Sequence, residues 1–201
     1  MIHVLFIMCC CLSTLIAKAN EPIIGGPCDG CEYVFINQPK TLSSHTQIHK
    51  NDTKGEPLLL RGTVKNSGGK PIKGIIIYAY QTDTNGLYPK GQTRHGSLRA
   101  WTISDAHGNY SFSTIRPGSY PERKTAQHIH LHVIEPDVAT YYIDDVTFTD
   151  DPLIDAGLRG QKACRGGCGL TTPKHDVNGV WQVRRDITLG ENIHDYLDET
   201  K

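Results

Sequence analysis

From residue 128 the chain alternates strictly: His128, Ile129, His130, Leu131, His132, Val133. A strand projects successive side chains to opposite faces, so the three histidines share one face and the three aliphatic residues the other. Two readings follow from this pattern alone. The histidines form the wet face of a half-buried strand, or they are a row of donors that a rigid sheet holds for a metal.

β-prone composition and turn signals mark further strands. Residues 58–64 read as a strand, residues 66–71 as a turn, and residues 74–80, rich in Ile and Tyr, as a buried strand. Asp105-Ala-His-Gly108 is a turn feeding an alternating strand at 109–115, and Arg116-Pro-Gly118 closes it. Residues 146–148 and 180–189 complete the set. Short strands between turn signals, with no long amphipathic helix, predict an all-β fold with a β-sandwich core of short antiparallel strands and long loops. Residues 20–56, rich in Gly, Pro, Ser and Thr, predict an irregular N-terminal arm. The loops at 89–101 and 155–178 show no period and are expected to line a pocket. Arg99 and Trp101 either face that pocket or pack in the core.

The first nineteen residues differ in kind. They are apolar from Val4 to Leu12 and end in Ala17-Lys18-Ala19, a small-x-small cleavage pattern, and the apolar run is short for a bilayer span. This predicts a secretory signal peptide at 1–19, an arm at 20–56 and one β-sandwich domain at 57–201, exported to the extracellular space. Cleavage takes away Lys18 alone from a balance of 21 basic and 21 acidic residues, leaving one net negative charge. Nucleic acid and anionic membrane are therefore not expected partners.

Cys28, Cys31, Cys164 and Cys168 remain after cleavage, and an even number in an exported chain predicts two disulfides. The pairing is open; bridges between the two clusters would tie the arm to the loop after residue 160. A structural zinc site from the same four residues is the alternative. Glycosylation sequons at Asn51 and Asn109 agree with export.

Three ordered pieces resemble the intradiol ring-cleavage dioxygenases, the family of catechol 1,2-dioxygenase and protocatechuate 3,4-dioxygenase. Gly74-Ile-Ile-Ile-Tyr-Ala-Tyr-Gln-Thr-Asp-Thr-Asn-Gly-Leu-Tyr88 looks like the strand and turn carrying the family's first tyrosine ligand. Residues 104–121 look like the stretch leading to the second, Tyr120, and His128-Ile-His130 matches the two-histidine motif. The resemblance runs from about Leu58 to Leu189. It implies one non-haem ferric ion, Fe(III), held by Tyr88, Tyr120, His128 and His130. Two phenolates favour a trivalent cation, and imidazoles suit iron. It also implies cleavage of a catechol between its hydroxyl-bearing carbons with O2, giving cis,cis-muconate-type diacids, with Tyr120 as the base. No organic cofactor is implied.

His132 is then a spare, expected beside the ligands or facing solvent. Where the family commonly has an arginine three residues before the first histidine, this chain has Thr125; Arg123 is the candidate replacement, against a solvated loop arginine. Asp144 and Asp145 stand where the family often has Thr-Gln, which favours neutral catechols over protocatechuate. No counterpart of the family's helical dimerisation arm is visible, and a monomer is expected. Two other readings remain. One is a cupin-like metal protein using His128, His130 and Glu135; the other is a non-catalytic extracellular β-sandwich whose metal site has decayed.

Overall fold

The apolar run Pro57–Lys65 (β2) and the alternating Asn109–Ile115 (β5) lie antiparallel, in register from Pro57 opposite Ile115 to Thr63 opposite Asn109. Around them, the computed structural model of the protein describes residues 21–28, 30–49 and 53–197. The signal-peptide reading and the Asn51 sequon lie outside the described residues. Asn109 opens β5, exposed. No helix among the described residues is long and apolar enough to cross a membrane.

Two sheets form an all-β sandwich. The first adds His45–Gln47 (β1), Lys174–His175 (β9), Trp181–Arg184 (β10) and Ile187–Thr188 (β11), in the order β1-β5-β2-β10-β9 with β11 also on β2. The second orders Arg99–Ile103 (β4), Ile76–Gln81 (β3), His128–Glu135 (β6), Ala139–Phe148 (β7) and Leu170–Thr171 (β8) as β4-β3-β6-β7-β8. The long central pairings are antiparallel as expected, whereas β1 on β5, β10 and β11 on β2, and β8 on β7 are parallel. A short α-helix, Ala156–Arg159 (α1), is capped by the Asp155 carboxylate, which accepts from Leu158 N.

Leu58, Leu60 and Phe112 from one sheet meet Ile77, Ile129, Leu131 and Val133 from the other, all nearly inaccessible. Each such side chain stabilises the fold by about 1.5–3 kcal/mol. The outer face of the second sheet is covered as well. Tyr78, Tyr80, Trp101 and Ile134 pack there with Val34 and Phe35 of the arm. The histidine face of β6 is therefore not a wet face: His128 is 6% exposed and His132 only 3%.

The arm is pinned by the two residues whose orientation was open. Trp101 Nε1 donates to Val34 O at 2.7 Å, and the Arg99 guanidinium to the carbonyls of Tyr33 and Ile36. Both act in packing. Residues 180–189 break into β10 and β11 because Arg185, fully buried, donates to the carbonyls of Asp144, Arg165, Gly166, Gly167 and Asp186.

The cysteines pair within their clusters, Cys28 with Cys31 and Cys164 with Cys168. Neither a bridge between clusters nor a four-cysteine zinc site forms. Cα separations of 5.7 and 4.8 Å let each local pair close without moving the backbone.

Candidate metal centre

Two loops and one strand build the site. After β3 the chain turns tightly: the Asp83 carboxylate accepts from the amides of Asn85 and Leu87, and Asp83 N donates to Leu87 O at 2.8 Å. Gly86 sits at φ +75°, where a side chain is strained, and a Cβ there would lie 1.8 Å from Ser119 O. From the other loop, Gly118 N donates to Asp83 O at 2.8 Å and Gly118 O accepts from Thr82 Oγ1 at 2.8 Å. The two loops thus clasp backbone to backbone, carrying Tyr88 on one and Tyr120 on the other.

Their phenol oxygens come within 2.6 Å of each other. His130 Nε2 lies 2.9 Å from Tyr88 Oη and 3.3 Å from Tyr120 Oη, while His128 Nε2 lies 3.2 Å from Tyr120 Oη and 3.1 Å from His130 Nε2. Separations of about 3 Å are what donors roughly 2.0–2.2 Å from a common cation require. All four residues expected as ligands are brought together, two oxygens and two nitrogens, a set suited to iron.

The far ring nitrogens are already engaged. His128 Nδ1 bonds Ala126 O at 2.7 Å, and His130 Nδ1 pairs with Asp145 Oδ1 at 2.9 Å. That fixes both Nε2 atoms inward with free lone pairs, the usual outer support of a metal-bound histidine. Burial holds the His128 pKa below its ordinary value, helped by the charge of His130. Burial also pushes the phenols up, Tyr88 far up with the Tyr120 hydrogen bond adding to it, and Tyr120 against the opposing Tyr88 hydrogen bond. Only a strong cation at the centre reverses that preference for the neutral phenol. Burial pushes the Asp145 carboxyl up, but the neighbouring histidines, His130 foremost, more than offset this and leave it below the usual range.

A cavity of about 430 Å³ opens on the centre, walled by Tyr120, Arg123, Thr125, Leu158, Gln161 and Leu170 among others. Both Arg123 and the Thr125 that replaces the expected arginine face it, and so do residues of the 155–178 loop. Asp144 Oδ2 accepts from Gln161 Nε2 at 2.6 Å. Glu135 is not at the site. Its carboxylate accepts from Tyr141 and Tyr196 at the far end of β6, so the cupin-type donor set does not assemble.

Two supports, Tyr80 and Gln161, were missed in the sequence. Tyr80 stacks on His130, centroids 4.4 Å apart, because it sits opposite His130 in the β3·β6 register. The Tyr78-x-Tyr80 alternation beside His130-x-His132 was the available signal. Gln161 gave none, being placed by long-range packing; Asp145 was marked by its place in the family pattern, but as an acid facing substrate and not as the partner of His130. His132 is neither solvent-facing nor against the four donors; it lies beside Cys28.

Residues 30–163 match the family described as Dioxygenase. The chain belongs to the intradiol ring-cleavage dioxygenase family. Among characterised relatives it is 27% identical over 121 residues to the protocatechuate 3,4-dioxygenase beta chain of Burkholderia cepacia, covering 53% of this chain and 51% of that one. It is 32% identical over 119 residues to catechol 1,2-dioxygenase of Acinetobacter baylyi, covering 56% of this chain and 37% of that one. The chain thus matches about half or less of these relatives' length. In fold it resembles an intradiol ring-cleavage dioxygenase from Tetranychus urticae, with TM-score 0.54 and 19% identity over 87% of this chain and 95% of that one. It also resembles the dioxygenase domain of a carbohydrate-binding fusion protein from Streptomyces sp. SirexAA-E, with TM-score 0.57 and 23% identity over 75% and 90%.

Proposed function

We propose that this protein is a secreted, monomeric non-haem iron(III) intradiol dioxygenase that cleaves catechols with O2 between the hydroxyl-bearing carbons, giving cis,cis-muconate-type diacids. The observation that carries the reading is the convergence of Tyr88, Tyr120, His128 and His130, with both outward histidine nitrogens already bonded. All four donors are in place, which speaks against a decayed site. When bound, ferric iron supplies Lewis acidity that favours the catecholate over the catechol.

The chain's own residues do the rest. Tyr88, packed against Tyr80, anchors the cation side. Tyr120 faces the cavity and lies near the Arg123 charge, so its Oη is the group to receive the catechol proton. Arg123 and Thr125 border the ring site, and Leu158 and Leu170 exclude water from it. Asp144 and Asp145 in the wall disfavour a ring carboxylate, so neutral catechols are the preferred substrates.

Oxygen uptake by iron-loaded protein with a panel of catechols tests this, alongside the visible tyrosinate-to-iron absorption. Tyr120→Phe is expected to lose turnover and part of that absorption. Absence of both colour and uptake in the wild type overturns the reading. Export predicts a mature N-terminus at Asn20, read by mass spectrometry of secreted protein, and light scattering checks the monomer.

A further inference from the structure

His132 has no task in the iron centre, yet it is 3% exposed, and its buried Nδ1 has no hydrogen-bond partner. It sits opposite Tyr78 in the β3·β6 register, its ring edge-on to Tyr78 and near Tyr80 and His95. Its other nitrogen, Nε2, points at sulfur, 3.7 Å from Cys28 Sγ. Cys28, Cys31 and His132 each offer one ligand atom, and these lie within 4.8 Å of one another. Cys31 is buried, while the half-buried Cys28 borders a cavity of about 310 Å³ that also reaches His132 and Asp145.

The other disulfide is a built-in contrast. Cys164–Cys168 closes a loop of similar size, but no such group of ligand atoms surrounds it among the described residues. A bridge joining residues three apart restrains the unfolded chain little, so loop entropy protects it least. Cys-x-x-Cys pairs are moreover the ones that exchange readily with dithiols.

We propose that reduction of the Cys28–Cys31 bond turns this corner into a second metal site, taking one thiophilic divalent cation of the zinc class on Cys28 Sγ, Cys31 Sγ and His132 Nε2. The reductant is a dithiol. Its two electrons break the S–S bond, its two protons pass to the cysteine sulfurs, and it leaves as its own disulfide. Zinc then displaces those protons as two thiolate–metal bonds form. Two sulfurs and one imidazole are a soft donor set that selects zinc over the iron favoured by the phenols next door. The cavity leaves a fourth position open to solvent.

The test uses the full iron-loaded chain, reduced with a phosphine that does not itself bind metal strongly, then titrated with Co2+. The expected result is about one reduction-dependent equivalent of cobalt, with thiolate-to-cobalt charge-transfer absorption, displaced by Zn2+. Cys28→Ser abolishes that equivalent. His132→Gln weakens it about tenfold or more while keeping thiolate absorption. Cys164→Ser with Cys168→Ser leaves it unchanged. No reduction-dependent cobalt, or a thiolate signal that persists in Cys28→Ser and disappears with the 164/168 pair, overturns the proposal. The tyrosinate–iron absorption, recorded on the same samples, reports the first site separately.

Discussion

Arg185, where the chain passes from β10 to β11, and the His128–His130 pair on β6 are both polar groups set into the sandwich, and they are satisfied to different degrees. Arg185 directs its two terminal nitrogens at five carbonyls, three of them in the loop at 165–167 that leads to the cavity wall, and Tyr110 Oη donates to the Arg185 carbonyl at 2.6 Å. The histidines are satisfied only on their outward side; inward, two nitrogens and two phenol oxygens face one another with nothing but each other to bond. The first arrangement is structural: both terminal nitrogens are bonded and only the buried Nε is left without a partner. The second is stable only as far as its surroundings hold it, the usual cost of a site kept ready for a ligand.

Replacing Arg185 breaks this contrast most severely. Arg185→Met takes a donor from five carbonyls, of which Arg165 O and Gly166 O keep the amides of Asp144 and Thr188, and should remove about 3–5 kcal/mol of stability in urea unfolding. A loss under about 1 kcal/mol means the loop carbonyls find other partners and the comparison is wrong. Asp145→Asn sharpens the other side. It removes the charge behind His130 and should weaken iron binding about 10–100-fold, read by competition with a chelator, with little change in the urea midpoint. If Asp145→Asn instead costs as much stability as Arg185→Met, the pair belongs to the scaffold.

The smallest effect tests a buried carboxyl that serves neither role. Burial raises the Glu135 pKa above its ordinary 4.5, and hydrogen bonds from Tyr141 and Tyr196 only partly oppose this. A raised folded value means the group's contribution is intact below about 4.5 and is lost as pH rises through the folded pKa. Glu135→Gln stays neutral throughout, so its stability relative to wild type should climb with pH from there. A difference that stays flat with pH refutes the assignment.

Which parts were legible in the sequence follows from the range of the interactions involved. β5 and β6 show in the chain because period-two alternation is local, and β2 shows as an apolar run between turn signals. β4 does not: Arg99-Ala-Trp-Thr-Ile103 has no clean alternation, since the arm covers the face that would otherwise be polar. The break at Arg185 is invisible for a similar reason, being set by carbonyls up to 41 residues away. The four donors are legible because each lies in a short motif with its own turn or strand signal. Tyr80, Gln161 and the pairing of Asp145 with His130 enter through register and tertiary packing. Cysteine pairing was open because spacing alone does not choose between pairs within a cluster and pairs between clusters; the structure closes both locally.

The clasp between Gly86 and the 118–119 segment also constrains how the protein can change. Adding one residue between 83 and 88, or between 118 and 120, would shift one phenol without the other and open their 2.6 Å contact. Insertions and deletions are thus confined to stretches beyond the clasp, such as the exposed turn around residues 90–93 or the segment 121–124. The two tyrosine loops diversify as one unit, while substrate range is free to drift through the lengths of their neighbours.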